Sequence, residues 1–147
     1  TLCVGYLKRP ALFELSDGWF DTGDLARMDD DGYIRITGRS KDIIIRGGEN
    51  ISVVEIEGLL FEHPRIAAVA IVAMPDPRLG ERACAFVCLI DDEPLTLDET
   101  RDFLLDQGVA KVYIPERLEV IEEMPMTATG KVQKFTLRDI AQSFTAE

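Results

Sequence analysis

The pattern of apolar and polar positions changes its character near residue 50. Beyond that point, apolar runs at residues 66–73 and 83–90 predict two strands, because short continuous apolar runs between turn signals are typical of buried strands. Residues 117–122 alternate between apolar and polar positions, which predicts a strand with one side facing water. Helical signals separate these segments. The sequence therefore predicts an α+β domain in which helices pack on a small sheet.

Capping residues mark the expected helix ends. Residues 52–55 have the Ser-x-x-Glu pattern of a capping box, which predicts a helix that stops before Pro64. Residues 96–99 carry a second capping box and predict a helix that Gly108 ends. A terminal helix is predicted over residues 136–144.

The first forty residues are richer in turn signals than the rest of the chain. Residues 18–24 contain two glycines and end in Asp24. The Asp-Gly pair at the end of residues 28–32 lies between two segments with strand character, which predicts a β-hairpin. A further apolar strand is expected to begin at residues 41–45.

Charge and hydropathy limit the classes of partner. The 147-residue chain has a net charge of −11, which opposes binding to nucleic acid and to anionic membrane surfaces. No apolar run reaches the length of ~18 residues that a membrane span needs, so no membrane span is expected. A local cluster of basic residues remains compatible with a small anionic ligand.

Cysteine and histidine give no sign of a metal site. The three cysteines lack metal-ligand spacing, and their odd number argues against a disulfide framework and for a reducing, cytoplasmic compartment. Cys84 and Cys88 would share one face of a strand as small buried residues. His63 precedes Pro64 at a helix end without an acid–base partner nearby, and we interpret it as structural.

The strongest chemical signal is the loop at residues 125–131, in which small residues lead to Lys131. It differs from a phosphate-binding Walker A loop because Pro125 stands where glycine is needed and Val132 replaces the hydroxyl residue that holds magnesium. A lysine beside a glycine can still approach a phosphate as a compact cation. The alternative is an exposed lysine on an ordinary turn.

Two further segments contain candidate binding residues. Basic residues cluster at residues 38–46, where Arg39 offers a donor fork for ribose or phosphate oxygens. Gly47 and Gly48 allow a close approach of the backbone to a thin ligand. Asp24 could accept hydrogen bonds from a sugar diol. A strand, a tight turn and a capped helix with solvated charges explain residues 38–57 equally well. Taken alone, a residue such as Asp24 more often belongs to an ordinary acidic turn.

Taken together, the three segments resemble the final motifs of the adenylate-forming ligases, which include acyl-CoA synthetases, adenylation domains of peptide synthetases and luciferases. That family has a Thr-Gly-Asp turn, then Gly-Arg-x-(Asp/Lys)-Asp with a glycine turn and Glu-(Ile/Val)-Glu, and finally Pro-x-x-x-x-Gly-Lys. All three motifs occur here in that order, at residues 22–24, 38–57 and 125–131. The resemblance covers essentially the whole chain.

The resemblance implies a role for each motif. Asp24 would bind the ribose hydroxyls of ATP or AMP, Arg39 would contact ribose and phosphate, and Lys131 would be the catalytic lysine of adenylation. Lys41 would be the hinge, so that residues 1–39 complete a large adenylating domain and residues 40–147 form a mobile C-terminal lid of two or three helices on a small mixed sheet. Mg²⁺ would bind mainly in the large domain.

The glycine turn implies the second half-reaction. Gly47 and Gly48 would line the tunnel for the CoA thiol, and their context is most similar to fatty, aromatic or alicyclic acid–CoA ligases. Tyr113 departs from the family pattern, which often has a basic residue there. The phosphate loop, adenine site and carboxylic acid pocket of the family lie outside these residues, so we expect this chain alone to be inactive. The alternatives are loading of a carrier protein and a non-catalytic α+β interaction module.

Overall fold

The computed structural model describes residues 15–16 and 18–144 of the chain. A first compact unit extends to Lys41, and a second begins at Asp42. Each unit has its own sheets, so the two are described in turn.

Antiparallel strand pairs make up the first unit. Strands β1 (Leu15–Ser16) and β2 (Trp19–Phe20) form one short pair, and β3 (Asp24–Met28) and β4 (Ile34–Arg39) form the other. The hairpin predicted at the Asp-Gly pair is confirmed, since Gly32 lies in its turn with a φ of +85°. Its outer surface exposes large apolar side chains, namely Met28, Tyr33, Ile34 and Ile36.

A five-stranded mixed sheet forms the centre of the second unit. Its strands are β5 (Ile43–Arg46), β6 (Glu49–Ser52), β7 (Ile66–Asp76), β8 (Gly80–Leu89) and β9 (Arg117–Val120). The antiparallel order is β6-β5-β8-β7, and β9 pairs in parallel with β8. Strand β7 is therefore an outer strand of the sheet.

Three helices cover the two faces of this sheet. Helices α1 (Val53–Phe61) and α2 (Leu97–Asp106) bury Leu60 and Leu104 in one apolar core with Ile71. Helix α3 (Lys134–Gln142) buries Leu137 in a second core with Phe86. Neighbouring strand residues alternate between the two cores, as the pleat requires. The α+β class with three helices on a mixed sheet is confirmed.

The helix ends show one correct and one wrong capping prediction. Thr96 and Glu99 form the expected capping box at the start of α2, and Gly108 closes this helix with a φ of +83°. The capping box predicted at Ser52 is wrong, because Ser52 occupies the N-cap of α1 without a side-chain capping bond. Ser52 is also the last residue of strand β6.

Candidate functional site

Lys131 follows a tight hairpin turn built from the small residues that precede it. Thr127 donates its N–H to the carbonyl of Lys131 at 2.8 Å, and Gly130 donates to the carbonyl of Thr127 at 2.9 Å. The Lys131 N–H is held by the Thr127 hydroxyl at 3.1 Å. Gly130 has a φ of +77°, which is the left-handed conformation that a three-residue hairpin loop needs at this position.

The turn after β3 has the same hydrogen bonds. Asp29 and Tyr33 take the places of Thr127 and Lys131, with the Asp29 carboxylate accepting the N–H of Tyr33 at 2.8 Å. This equivalence indicates that the Lys131 loop is a well-defined hairpin turn rather than an irregular connection. Its function therefore depends on the side chain that it displays.

The side chain of Lys131 is exposed. Within residues 15–16 and 18–144, the salt bridges join other basic residues to their acidic partners, and no carboxylate lies within 4 Å of the Lys131 ammonium group. This arrangement leaves the Lys131 ammonium group directed at solvent. Such a cation can meet an incoming anion without first breaking an ion pair.

The two arms of the Lys131 loop are joined at their base. Met126 and Val132 form a β-bridge, and Gln133 donates its N–H to the carbonyl of Pro125 at 2.8 Å. Val132 packs against the core beneath α3. Lys134 then begins α3 and forms an ion pair with Glu57 of α1 at 2.7 Å.

Asp24 and Arg39 are brought together in the first unit. They face each other across β3 and β4, and the Arg39 Nε donates to Asp24 Oδ1 at 2.8 Å. Asp21 and Thr22 support the turn before Asp24 through side-chain bonds to its backbone. The pair presents one carboxylate edge and one guanidinium edge side by side at the surface. Those groups match the hydroxyl and phosphate oxygens of a nucleotide.

Gly47 and Gly48 form the two-residue turn that joins β5 to β6. Their φ values of +59° and +91° explain the need for glycine at both positions. The Gly47 N–H donates to the carbonyl of Leu79 at 2.8 Å. A Cβ on Gly47 would lie 3.3 Å from a methyl of Leu79, so the turn rests closely on the β7–β8 connection.

Two acidic residues support this glycine turn, and the sequence analysis missed both. Glu116 pairs with Arg46 at 2.7 Å and accepts the N–H of Ala83 at 3.3 Å. Asp76 accepts the N–H groups of Leu79 and Arg78, which hold the pKa of Asp76 below its ordinary value despite its burial. The Asp-Pro pair was a local signal for Asp76. Glu116 had none, because its partners are distant in sequence.

A groove of about 500 Å³ lies between the start of α1 and the end of α2. Tyr113, which departs from the family pattern, lines this groove together with Asn50, Glu55 and Gln107. These side chains bear no positive charge, so the described lining does not provide the basic contact that a lysine or arginine at position 113 would supply.

His63 and the two described cysteines have structural surroundings. The ring of His63 packs edge-on against Phe103 with centroids 4.8 Å apart, and partial burial lowers its pKa. Cys84 and Cys88 are buried in the core beneath α3, as expected for residues on one face of a strand. Burial raises the pKa of Cys84 to about 12, so this thiol is not a nucleophile at neutral pH. Cys3 lies outside the described residues.

The described residues contain no group of three or more His, Cys, Asp or Glu side chains that could hold a metal ion. In the same part of the chain, no helix combines the length and apolar composition needed to cross a bilayer.

The candidate groups are Lys131 on a hydrogen-bonded turn, the Asp24–Arg39 pair and the Gly47–Gly48 turn. The sequence profile described as AMP-binding enzyme C-terminal domain matches residues 55–131, which include Lys131. The chain belongs to this family. The glycine turn and the Asp24–Arg39 pair precede the matched segment.

Relatives and solved structures agree with this membership. The chain is 49% identical over 149 residues to the medium-chain fatty-acid–CoA ligase of Escherichia coli K12, covering 98% of this chain and 26% of that protein. ATP-bound MatB from Rhodopseudomonas palustris is 32% identical with a TM-score of 0.80, covering 92% of this chain and 27% of that one. The amide bond synthetase McbA from Marinactinospora thermotolerans is 34% identical with a TM-score of 0.80, covering 95% and 28%. The chain thus spans about a quarter of the length of these relatives.

Proposed function

We propose that the chain is the C-terminal portion of an ATP-dependent acid–CoA ligase. In the first half-reaction, a carboxylate attacks the α-phosphate of ATP and releases pyrophosphate, which gives an acyl-adenylate. In the second, the CoA thiol attacks the acyl carbon, gives up its proton and displaces AMP. The observation that carries the proposal is the exposed Lys131, which is free of ion pairs within the described residues and ends the segment matched by the family.

Lys131 acts by electrostatics in this proposal. Attack on the α-phosphate builds negative charge on its oxygens, and a cation already held on a rigid turn lowers the energy of that transition state more than the energy of the ground state. The internal hydrogen bonds of the turn mean that little reorganisation is needed. Gly130 has open space on the side where a Cβ would lie, which leaves room for a phosphate to approach.

The Asp24–Arg39 pair is our candidate for nucleotide binding. Asp24 Oδ1 accepts from the Arg39 Nε, which leaves Oδ2 to accept from ribose hydroxyls and the outer guanidinium nitrogens to donate to phosphate or ribose oxygens. None of these proposed roles depends on a metal bound by the described residues. The expected Mg²⁺ site in a large domain remains a prediction.

The two compact units support the proposed domain arrangement. We assign residues 1–39 to the last strands of the large adenylating domain and residues 40–147 to a mobile lid, with Lys41 as the hinge. The division between the units at Lys41 and Asp42 supports this assignment. The Gly47–Gly48 turn is the candidate lining of the CoA tunnel, and its exposed backbone leaves space for a thin pantetheine chain. A cytoplasmic location is part of the proposal.

Replacing Lys131 tests the proposal in the full-length ligase. Lys131→Ala should reduce acid-dependent ATP–pyrophosphate exchange by about a hundredfold to a thousandfold, which is typical for the loss of a preorganised electrostatic contact. It should spare CoA transfer from a supplied acyl-adenylate. Lys111→Ala, which removes another exposed lysine, is the matched control for exchange. Equal loss of both half-reactions, or full exchange activity in Lys131→Ala, would contradict the role of Lys131. Absence of acid-dependent exchange in the wild-type protein would favour a non-catalytic module.

A different acceptor is the second candidate. The similarity to an amide bond synthetase shows that related chains occur in proteins named for a product other than a CoA thioester. A carrier protein with a phosphopantetheine arm would use the same thiol chemistry as CoA. Supplying one acyl-adenylate together with free CoA, a loaded carrier protein or an amine, and measuring which acceptor is acylated, separates these possibilities.

A further inference from the structure

The outer edge of β7 is covered by a carboxylate from α1. Ile71 pairs with Ala85 of β8 in the strand register, but its N–H donates to Glu57 Oε1 at 2.6 Å. An outer strand presents unpaired N–H groups, and a carboxylate is a strong acceptor for one of them. Glu57 thus satisfies a backbone donor that no strand reaches.

The same carboxylate oxygen binds Lys134 from the other side of the sheet. Lys134 Nζ lies 2.7 Å from Glu57 Oε1, and each side chain is only 18% exposed. Glu57 belongs to α1, which packs with one apolar core, whereas Lys134 begins α3, which packs with the other. The ion pair therefore reaches around the edge of β7 and joins the two helical layers.

Lys134 is also the first residue after the candidate catalytic loop that forms an ion pair within the described residues. It lies three residues beyond Lys131, and Val132 and Gln133 between them are tied to the opposite arm of the loop. The hydrogen bonds of the turn itself are internal to residues 127–131. They set the shape of the turn. Its position on the sheet depends on the flanking residues, namely Met124 and Val132 against the core and the ion-paired Lys134. A second ion pair, between Arg138 and Asp42, holds the next turn of α3.

We propose that Glu57 and Lys134 are positioning residues, which fix the start of α3 on the edge of β7 and so place Lys131 for the adenylation step. Neither residue touches substrate in this proposal. Releasing the pair leaves the turn intact but allows the ammonium group of Lys131 to move relative to the sheet. The inference rests on the role proposed for Lys131 and adds the residues that hold it in place.

Variants of Lys134 in the full-length ligase test the inference. Lys134→Met should lower the kcat of acyl-adenylate formation by about tenfold to a hundredfold, because displacement of a catalytic group by an ångström has effects of this size. CoA transfer from a supplied acyl-adenylate should be unchanged. Lys134→Arg keeps the charge and should restore most of the adenylation rate. Glu57→Gln, which retains an acceptor for Ile71, should resemble Lys134→Met.

The matched control breaks an ion pair elsewhere on the sheet. Arg65, the residue before β7, pairs with Asp91, and Asp91→Asn should leave both half-reactions unchanged. Unaltered adenylation in Lys134→Met, or equal losses in both half-reactions together with a lower Tm, would overturn the inference. Failure of Lys134→Arg to recover adenylation would do the same.

Two further measurements separate this inference from the proposed function. If the wild-type protein shows no acid-dependent ATP–pyrophosphate exchange, the proposed function fails whatever the Lys134 variants do. If Lys131→Ala abolishes ATP–pyrophosphate exchange but Lys134→Met and Glu57→Gln behave as wild type, only the positioning role fails.

Amide hydrogen exchange measured by mass spectrometry gives a readout that does not depend on activity. The peptide spanning residues 126–134 should exchange its amide hydrogens faster in Lys134→Met. Unchanged exchange would contradict the inference.

Discussion

At the scale of single residues, the same substitution should have opposite effects at two glycines. Gly130 has a φ of +77°, so Gly130→Ala should lower the free energy of unfolding by about 1 kcal/mol even though a Cβ there would meet no atom within 4 Å. Gly58 lies inside α1, also with open space around it, so Gly58→Ala should raise that free energy by about 0.5–1 kcal/mol. Urea unfolding measures both.

The two variants control for each other, because each adds one methyl group to open space. A decrease in the free energy of unfolding for both variants would mean that the added methyl group does not fit, in contrast to the open space in the structure. An increase for Gly130→Ala would contradict the left-handed conformation of the loop.

Sequence reasoning performed well where a residue's role depends on its immediate neighbours. The turns at Gly32 and Gly130 are predictable because each needs a residue with a positive φ at that point. Each glycine lies shortly before the residues that pair with the preceding arm of its hairpin. It performed less well for side chains with distant partners. Glu57 was visible as part of the Glu-Ile-Glu motif, but its contact with Lys134 spans two helices on opposite faces of the sheet.

At the scale of elements, the β7–β8 connection should lose stability in acid. The pKa of Asp76 is held below its ordinary value of 3.8. The largest cause is the hydrogen bond from the N–H of Leu79, followed by the bond from the N–H of Arg78 and the positive charge of Arg82. A lowered pKa means that the ionised carboxylate stabilises the folded state. This contribution is fully present above pH 3.8, and it is lost as the pH falls through the lower value of the folded state.

Asp76→Asn tests this expectation, since asparagine does not titrate in this range. The wild type should be more stable than Asp76→Asn at neutral pH, and the difference should shrink below about pH 4. Thermal unfolding across that range provides the measurement. Asp92→Asn, which removes an exposed carboxylate, is the control and should change stability little. A difference that grows as the pH falls would contradict the assignment.

Element prediction failed at β6 for a physical reason. Its four residues contain one buried side chain, Ile51, and its last residue carries the helix-capping signal of Ser52. The local pattern therefore favoured a helix start over a strand end. The Gly47–Gly48 pair was the available signal, because two glycines between strands favour a two-residue hairpin turn. The strand forms because Ile51 joins the core with Ile44 and Ile56.

At the scale of the whole chain, the arrangement of the sheet could not be predicted from local patterns. Strand β9 pairs in parallel with the middle of β8. Helices α2 and α3 pack on opposite faces of the sheet, and a long segment that includes β9 connects them. Such contacts depend on packing between distant segments, for which apolar periodicity gives the face of each strand but not its neighbour. The family motifs are local and identify candidate residues without the fold, but the roles of those residues stay predictions.

The last prediction concerns what this chain does by itself. It contains Lys131, the Asp24–Arg39 pair and the glycine turn, but it spans about a quarter of the length of its relatives. Adenylation requires ATP and acid to be held together, since most of the rate advantage comes from positioning and electrostatics in one enclosed site. We therefore expect no acid-dependent ATP–pyrophosphate exchange by residues 1–147 alone. The full-length ligase assayed in parallel is the positive control. If residues 1–147 alone show exchange above background and Lys131→Ala removes it, these residues assemble a complete adenylation site. That result would contradict the proposal that adenylation needs a separate large domain.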